Sequence, residues 1–99
     1  YIGLAMKAGK IKAGEFSTEK SIKGGKARLV LVAEDASDNT IKKFSNSCLH
    51  YKVPFYTFGT KDELGKIIGK EMRSSLSIED EGFGKRIIGI MNGGNADVR

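Results

Sequence analysis

The feature that most constrains the fold is a nearly continuous apolar run at residues 28–33, Arg-Leu-Val-Leu-Val-Ala. A strand with water on one face alternates apolar and polar side chains, whereas an unbroken apolar strand has both faces covered. Helical patterns precede and follow this run, separated from it by glycines and capping residues. The run therefore predicts a strand inside a sheet that has helices on both faces.

The rest of the chain alternates between short helical and short strand patterns. The predicted helices are one that ends at Gly9, one over residues 16–24, one capped by Ser37 or Asp38, one from Thr60 to Gly69, and one capped by Asp80. The predicted strands are Ile11 alone at a sheet edge, 28–33, Val53–Phe58 with Pro54 near its start, and 75–78. This order predicts an α/β fold, a three-layer α/β/α sandwich with a mixed four-stranded sheet.

Two of these helices carry clear local signals. Thr60-Lys61-Asp62-Glu63 has the spacing of a capping box, in which Thr60 accepts from the backbone and Glu63 reaches back. In the third helix, apolar residues recur at i, i+3, i+7 and i+8, which predicts a buried face made of Ile41, Phe44, Cys48 and Leu49.

Length and charge limit the functional classes. Ninety-nine residues form one domain, which we expect over residues 1–91, and the polar, glycine-rich residues 92–99 are expected to be a disordered tail. The chain is 39% hydrophobic and 29% charged, as in globular proteins. A net charge of +5 and a pI near 9.4 favour an acidic partner. The sequence shows neither an apolar run of about 20 residues nor a signal peptide, so we expect no membrane partner.

Residue types give little support for catalysis. The single cysteine, Cys48, indicates the cytoplasm, and its position on an apolar face favours a core residue over a ligand. Cys48 and His50 form one Cys-x-His pair, far short of a zinc site, and His50 is expected at a helix end. Glu34-Asp35 follows the buried strand, where a metal-dependent enzyme is the weakest alternative and helix capping or turn formation is favoured. We expect no enzyme, cofactor or metal.

The basic residues are concentrated near the beginning of the chain. Seven of them lie within the first 28 residues: Lys7, Lys10, Lys12, Lys20, Lys23, Lys26 and Arg28. The helix that follows Gly14 would present free amide groups to a phosphate, and the lysines around it would contact a nucleic-acid backbone. Phe16 would either stack on a base or pack in the core with Ile22. The alternative to a binding surface is a solvated face that keeps the protein soluble.

A second candidate surface is the loop Gly69-Lys70-Glu71-Met72-Arg73-Ser74-Ser75, which leads into the fourth strand. It combines a flexible apolar side chain, Met72, with a guanidinium, Arg73, that can contact a phosphate or stack. An ordinary connecting loop would have a similar composition.

Several segments together resemble the ribosomal L7Ae family and, within it, the bacterial YlxQ-type branch. They are Gly3-Leu4-Ala5, residues 14–20, residues 25–30, Ala33-Glu34-Asp35, Val53-Pro54, Leu64-Gly65-Lys66, Gly69 and residues 80–83. The resemblance covers the chain to about Met91 and implies the same α/β/α sandwich and binding of kink-turn RNA. The family motif Gly-x-Asn-Glu-x-x-Lys matches at Gly14 and Lys20, whereas Phe16 and Ser17 stand where Asn and Glu read sheared G·A pairs.

The family resemblance also implies that Glu71, Met72 and Arg73 enclose a flipped-out nucleotide. Together with the basic residues, it predicts a small non-catalytic, ribosomal-protein-like RNA-binding protein. The expected RNA-binding residues are Gly14, Glu15, Phe16, Ser17, Lys20, Lys23, Lys26, Glu71, Met72 and Arg73.

We expect a cytoplasmic monomer that binds structured RNA, ribosomal RNA among the candidates, and that has ribosomal or translation-associated proteins as further partners. The alternative function is a protein-interaction module that keeps the fold without kink-turn affinity. The side chains of Phe16 and Ser17 favour it, because neither can replace the hydrogen bonds of Asn and Glu.

Overall fold

A computed structural model describes residues 1–93 of the chain. Its elements, in chain order, are α1 Ile2–Lys7, β1 Ile11–Ala13, α2 Glu15–Lys23, β2 Leu29–Val32, α3 Asp38–Tyr51, β3 Phe55–Thr57, α4 Lys61–Ile67, β4 Ser75–Ile78 and α5 Glu81–Asn92. Helix α5 thus includes Asn92, the first residue of the expected tail, and residues 94–99 of that tail lie outside the described residues.

The four strands form one mixed sheet in the order β1-β4-β2-β3. Strand β2 runs parallel to β3, and β4 is antiparallel to both β2 and β1. All four side chains of β2 are fully buried, as its unbroken apolar sequence predicts. The expected edge position of Ile11 is also confirmed, since β1 is the outermost strand on that side.

Helices cover both faces of the sheet. The hydroxyls of Ser75 and Ser77 on β4 meet α2, which packs beside α3 on one face. Alternation along the strand turns Leu76 and Ile78 to the opposite face, where α1 and α5 pack together. The predicted three-layer α/β/α sandwich is therefore confirmed. None of the helices described between residues 1 and 93 is long and apolar enough to cross a membrane.

The predicted helix caps are present. Of the two candidates before α3, Ser37 is the N-cap, and its hydroxyl accepts from the Thr40 amide. Thr60 and Glu63 form both hydrogen bonds of the capping box at the start of α4. Asp80 accepts from the Phe83 amide at 2.8 Å and so caps α5. Each cap satisfies an amide that the helix itself leaves without a partner.

Several element ends differ from the sequence prediction by one or two residues, and β1 spans Ile11–Ala13 instead of Ile11 alone. Leu49 is 80% exposed instead of buried, because each helical residue turns by about 100° and Leu49 lies one such step beyond the buried Cys48. The third strand is also shorter than Val53–Phe58. The Val53 amide donates to the Cys48 carbonyl at 2.8 Å, so this residue completes the end of α3 before β3 begins.

Candidate nucleic-acid interface

The start of α2 is built around Gly14, its N-cap. Gly14 has a φ of 97°, which L side chains rarely adopt, and no heavy atom would lie within 4 Å of an added Cβ. Conformation therefore favours glycine here, and it leaves the backbone accessible. The Thr18 amide donates to the Gly14 carbonyl at 2.9 Å, so the amides of residues 15–17 precede the first hydrogen bond of the helix. These amides and the helix dipole form an end that suits a negative group.

The ring of Phe16 projects into solvent from the first turn of α2. It is 79% exposed, whereas Ile22 is fully buried, so of the two alternatives for Phe16 the one in which it packs in the core is wrong. The buried residues of α2 are Thr18, Ser21 and Ile22, and Phe16 lies on the opposite side of the helix. Lys20 follows Phe16 by one turn and is also exposed. An aromatic ring and an ammonium group therefore share the outer face of the helix.

Hydrogen bonds to backbone carbonyls hold the loop between α4 and β4 in place. The guanidinium of Arg73 donates to the carbonyls of Glu71 and Met72, at 3.2 and 2.9 Å. The Arg73 amide donates to the Lys61 carbonyl at 3.1 Å, which ties the loop to the start of α4. Gly65 of α4 lies directly against the loop backbone. Within this fixed loop, the side chain of Met72 remains 57% exposed.

Hydrogen bonds join the first residue of β4, directly after this loop, to the start of α2. The Gly14 amide donates to the Ser75 carbonyl at 3.0 Å, and the Ser75 hydroxyl donates to Thr18 Oγ1 at 3.1 Å. The carbonyl of Ser74, the residue before β4, accepts from the amide of Ala33, the residue after β2. Residues 14–20 therefore contact β4 directly after the loop that carries residues 71–73.

The remaining predicted lysines lie further along α2. Lys23 ends the helix and Lys26 follows it, and a helix of nine residues is roughly 14 Å long. A groove of about 350 Å³ runs between α2 and β1, from Phe16 at the start of the helix to Lys26 beyond its end. Its lining residues are Lys12, Phe16, Ser17, Lys20, Ser21, Gly24, Lys26 and Glu79. Within residues 1–93, the exposed lysines 12, 20 and 26 form no ion pair.

The acidic residues of α2 are paired with lysines instead. Lys43 of α3 lies 3.1 Å from Glu15 and 2.8 Å from Glu19, and Lys23 lies 2.8 Å from Glu19. Hydrogen bonds from Lys23 and Lys43 lower the pKa of Glu19 to about 2, and the same contacts raise the pKa of both lysines. The charge of Lys23 is therefore balanced locally, and the groove lysines carry the unbalanced positive charge.

Cys48 and His50 have the structural positions that the sequence predicts. Cys48 is buried, and desolvation raises the pKa of its thiol to about 11, as for a core residue. His50 is exposed in the last turn of α3, where its ring contacts Tyr51 edge to face.

Glu34 and Asp35 act as hydrogen-bond acceptors for neighbouring backbone. Glu34 Oε2 accepts from the Gly59 amide at 3.1 Å, and Asp35 Oδ1 accepts from the Lys61 amide at 2.8 Å. The expected turn and capping roles are thus confirmed. In the part of the chain that the structure describes, no group of three or more His, Cys, Asp and Glu side chains could hold a metal ion.

Three residues of this surface are absent from the sequence prediction. Lys43 binds the α2 carboxylates from another helix, and no local pattern indicates such a contact. Ser21 and Glu79 meet in the groove, where Glu79 accepts from the Ser21 hydroxyl. A signal for Glu79 does exist: the strand period of two places residues 75, 77 and 79 on the same face.

The fold and this surface define a class, that of small α/β/α sandwich proteins with an exposed, lysine-lined groove beside one helix. Within that class, the sequence model of the Ribosomal protein L7Ae/L30e/S12e/Gadd45 family matches residues 1–88, and the chain belongs to this family. The family that the sequence motifs indicate is thereby confirmed.

Individual relatives agree with this assignment. The chain is 41% identical over 91 residues to the "RNA-binding protein YlxQ" of Bacillus subtilis, covering 92% of this chain and 91% of that protein. It is 37% identical over 79 residues to the "Large ribosomal subunit protein eL8" of Thermoplasma volcanium, covering 79% and 65%. A solved structure of a protein of unknown function from Bacillus halodurans superposes with a TM-score of 0.89 and 31% identity, covering 92% of both chains.

Proposed function

We propose that this protein is a small non-catalytic, ribosomal-protein-like RNA-binding protein. Its surface would bind structured, kink-turn-like RNA with the start of α2 and the loop before β4. The observation that carries the proposal is the hydrogen bond from the Gly14 amide to the Ser75 carbonyl, which links the start of α2 to the first residue after that loop. The names of the relatives, an RNA-binding protein and a large ribosomal subunit protein, support it. Ribosomal RNA and translation-associated proteins are the proposed partners of this cytoplasmic monomer.

Each part of the surface has a proposed role. The backbone at Gly14 and the amides of residues 15–17 approach the RNA, because no side chain of Gly14 intervenes and the helix dipole favours a phosphate. Lys20 contacts a phosphate near this end, with Lys23 and Lys26 further along α2. Glu71, Met72 and Arg73 close the far side, and the guanidinium of Arg73 also holds the loop through its bonds to the Glu71 and Met72 carbonyls.

Phe16 and Ser17 define how this surface would differ from the usual family motif. Phenylalanine donates no hydrogen bond, and serine is too short to reach where glutamate does. The exposed ring of Phe16 instead suits stacking on an unpaired base, an interaction that RNA-binding proteins use widely. We therefore propose that stacking replaces part of the hydrogen bonding to the RNA.

The test compares a kink-turn RNA with a straight duplex of equal length, at two salt concentrations. We expect tighter binding to the kink-turn RNA. Lys20→Ala should weaken it by about 1 kcal/mol and lower the salt dependence by about one released counterion, because one phosphate contact is lost. The matched control is Lys85→Ala, since Lys85 lies on α5 and pairs with Glu81. An unchanged salt slope for Lys20→Ala would contradict its assignment.

The second candidate, a protein-interaction module, is favoured by the exposure of Phe16 and Met72. Exposed apolar side chains beside charged ones are typical of protein interfaces as well as of RNA-binding surfaces. Equal, salt-sensitive binding to both RNAs would leave only a lysine-rich surface and would favour this alternative.

A further inference from the structure

The groove beside α2 contains a carboxylate among its lysines. The Glu79 amide donates to the Lys10 carbonyl at 2.8 Å, which fixes the backbone beside β1. Glu79 Oε2 accepts from the Ser21 hydroxyl at 2.6 Å, and the hydroxyls of Ser21 and Ser77 lie 2.7 Å apart. Because Ser21 donates to Glu79, Ser77 must donate to Ser21, and this chain of hydroxyls terminates at the carboxylate. Glu79 is therefore held in one orientation.

The carboxylate retains unused acceptor capacity. Within residues 1–93, Glu79 Oε1 accepts no hydrogen bond and Glu79 forms no ion pair, although three lysines line the same groove. A carboxylate weakens the binding of a phosphate alone, because the two negative charges repel. It binds hydrogen-bond donors, and most strongly two donors side by side. A ligand that suits this groove carries both phosphates and a pair of adjacent N–H donors.

Among the RNA bases, guanine provides that pair of donors. Its Watson–Crick edge presents N1–H and the N2 amino group next to each other, and a carboxylate can accept from both. Adenine and cytosine place a ring nitrogen acceptor beside their amino group, and uracil places its N3–H between two carbonyls. Each of these three bases would bring an acceptor against the carboxylate, which is unfavourable.

The remaining walls of the groove suit a nucleotide. Phe16 lines it with an exposed ring that can stack on a base. Lys12, Lys20 and Lys26 are positioned to contact the phosphates on either side of that nucleotide. A volume of about 350 Å³ lies within the range of small-ligand sites and suits a single nucleotide. A base whose Watson–Crick edge donates to Glu79 cannot be paired at the same time, so the bound base is unpaired.

We infer that this groove binds an unpaired guanosine of the RNA. The base stacks on Phe16, its Watson–Crick edge donates to Glu79, and the adjacent phosphates contact the three lysines. The inference rests on the proposed function, because it names the nucleotide that the bound RNA presents to the same surface.

The test uses fluorescence anisotropy with a hairpin RNA that carries one bulged nucleotide: guanosine, inosine, adenosine or uridine. The wild-type protein is expected to bind the guanosine hairpin about tenfold more tightly than the adenosine hairpin. Inosine lacks the N2 amino group and should give an intermediate affinity. Glu79→Gln should reduce the preference for guanosine to about twofold or less, while its affinity for the adenosine hairpin stays the same or rises, since a negative charge beside the phosphates is lost.

The matched control is Glu81→Gln, which makes the same change of charge on α5 and should leave the preference intact. Glutamine at position 79 can still accept from Ser21, so thermal unfolding should show that Glu79→Gln remains folded. An equal loss of affinity for all four hairpins in Glu79→Gln would indicate a purely structural role and overturn the inference. Equal, salt-dependent binding of all four by the wild type would overturn it while leaving the proposed function standing, and no binding to any RNA would overturn both.

Discussion

Replacing Gly65 with alanine tests how the loop before β4 is positioned. An alanine Cβ would lie 2.7 Å from the carbonyl carbon of Glu71 and 3.0 Å from the amide nitrogen of Met72. Both atoms belong to the backbone, so no flexible side chain can move aside. The carbonyl oxygen of Glu71 would lie closer still, so the loop would have to retreat by roughly 1 Å to restore an ordinary contact. Such overpacking costs about 1–3 kcal/mol.

A second effect has the opposite sign. Alanine is favoured over glycine in a helix by about 1 kcal/mol, so Gly65→Ala should destabilise the protein by a net amount of about 1 kcal/mol. Gly89 on α5 provides the control, because no heavy atom would lie within 4 Å of a Cβ added there. Gly89→Ala should therefore stabilise the protein by up to about 1 kcal/mol. The difference between the two variants isolates the overpacking cost.

Urea denaturation of both variants would measure this difference. We expect Gly65→Ala to be less stable than Gly89→Ala by about 1–3 kcal/mol, with similar m values. In thermal unfolding, each 1 kcal/mol corresponds to roughly 4–8 °C for a domain of this size. If the two variants differ by less than about 0.5 kcal/mol, the loop yields freely and the argument that α4 positions it is refuted.

Two further predictions concern titrating groups. The folded pKa of Glu19, about 2, lies below its usual 4.5, so the ionised carboxylate stabilises the protein above about pH 4.5 and this contribution is lost as the pH falls towards 2. Glu19→Gln should therefore be less stable than the wild type near pH 7, by less than about 1 kcal/mol because such ion pairs are screened by solvent. Near pH 2 the two proteins should be equally stable. A difference in urea titrations that does not depend on pH would contradict this prediction. The buried Cys48 thiol, with its pKa raised to about 11, should react slowly with a thiol reagent at pH 8 and rapidly in denaturant. Rapid labelling of the native protein would show that the thiol is accessible and would contradict this prediction.

The sequence predicts most of the fold because its strongest signals are local. The apolar run in β2 indicates burial on both faces, and Thr60 with Glu63 defines the start of α4 within four residues. Such signals need no knowledge of distant residues, since a cap or a strand run involves neighbours in the chain. Leu49 shows the limit of periodicity, because its position in the chain fits the apolar pattern although its side chain is exposed.

The candidate site is less predictable because its geometry depends on distant pairs. Glu79 is oriented by Ser21, and Lys43 neutralises Glu15 and Glu19 from a different helix. These partners are separated by dozens of residues, so no window of sequence brings them together. The sequence also leaves Phe16 equally suited to the core or the surface, and only the packed structure shows its ring exposed.

The hydroxyl pairs beneath α2 have a consequence for how this scaffold tolerates change. Thr18 with Ser75 and Ser21 with Ser77 form two buried polar pairs in an otherwise apolar interior. Apolar contacts are nondirectional, whereas hydroxyls satisfy one another only in one relative position of helix and strand. These two hydroxyl pairs fix the orientation of α2, and with it the direction in which Phe16 and Lys20 face outwards. A redesign that replaces these four residues with valine and alanine would keep a packed interior, but the orientation of α2 would no longer be fixed.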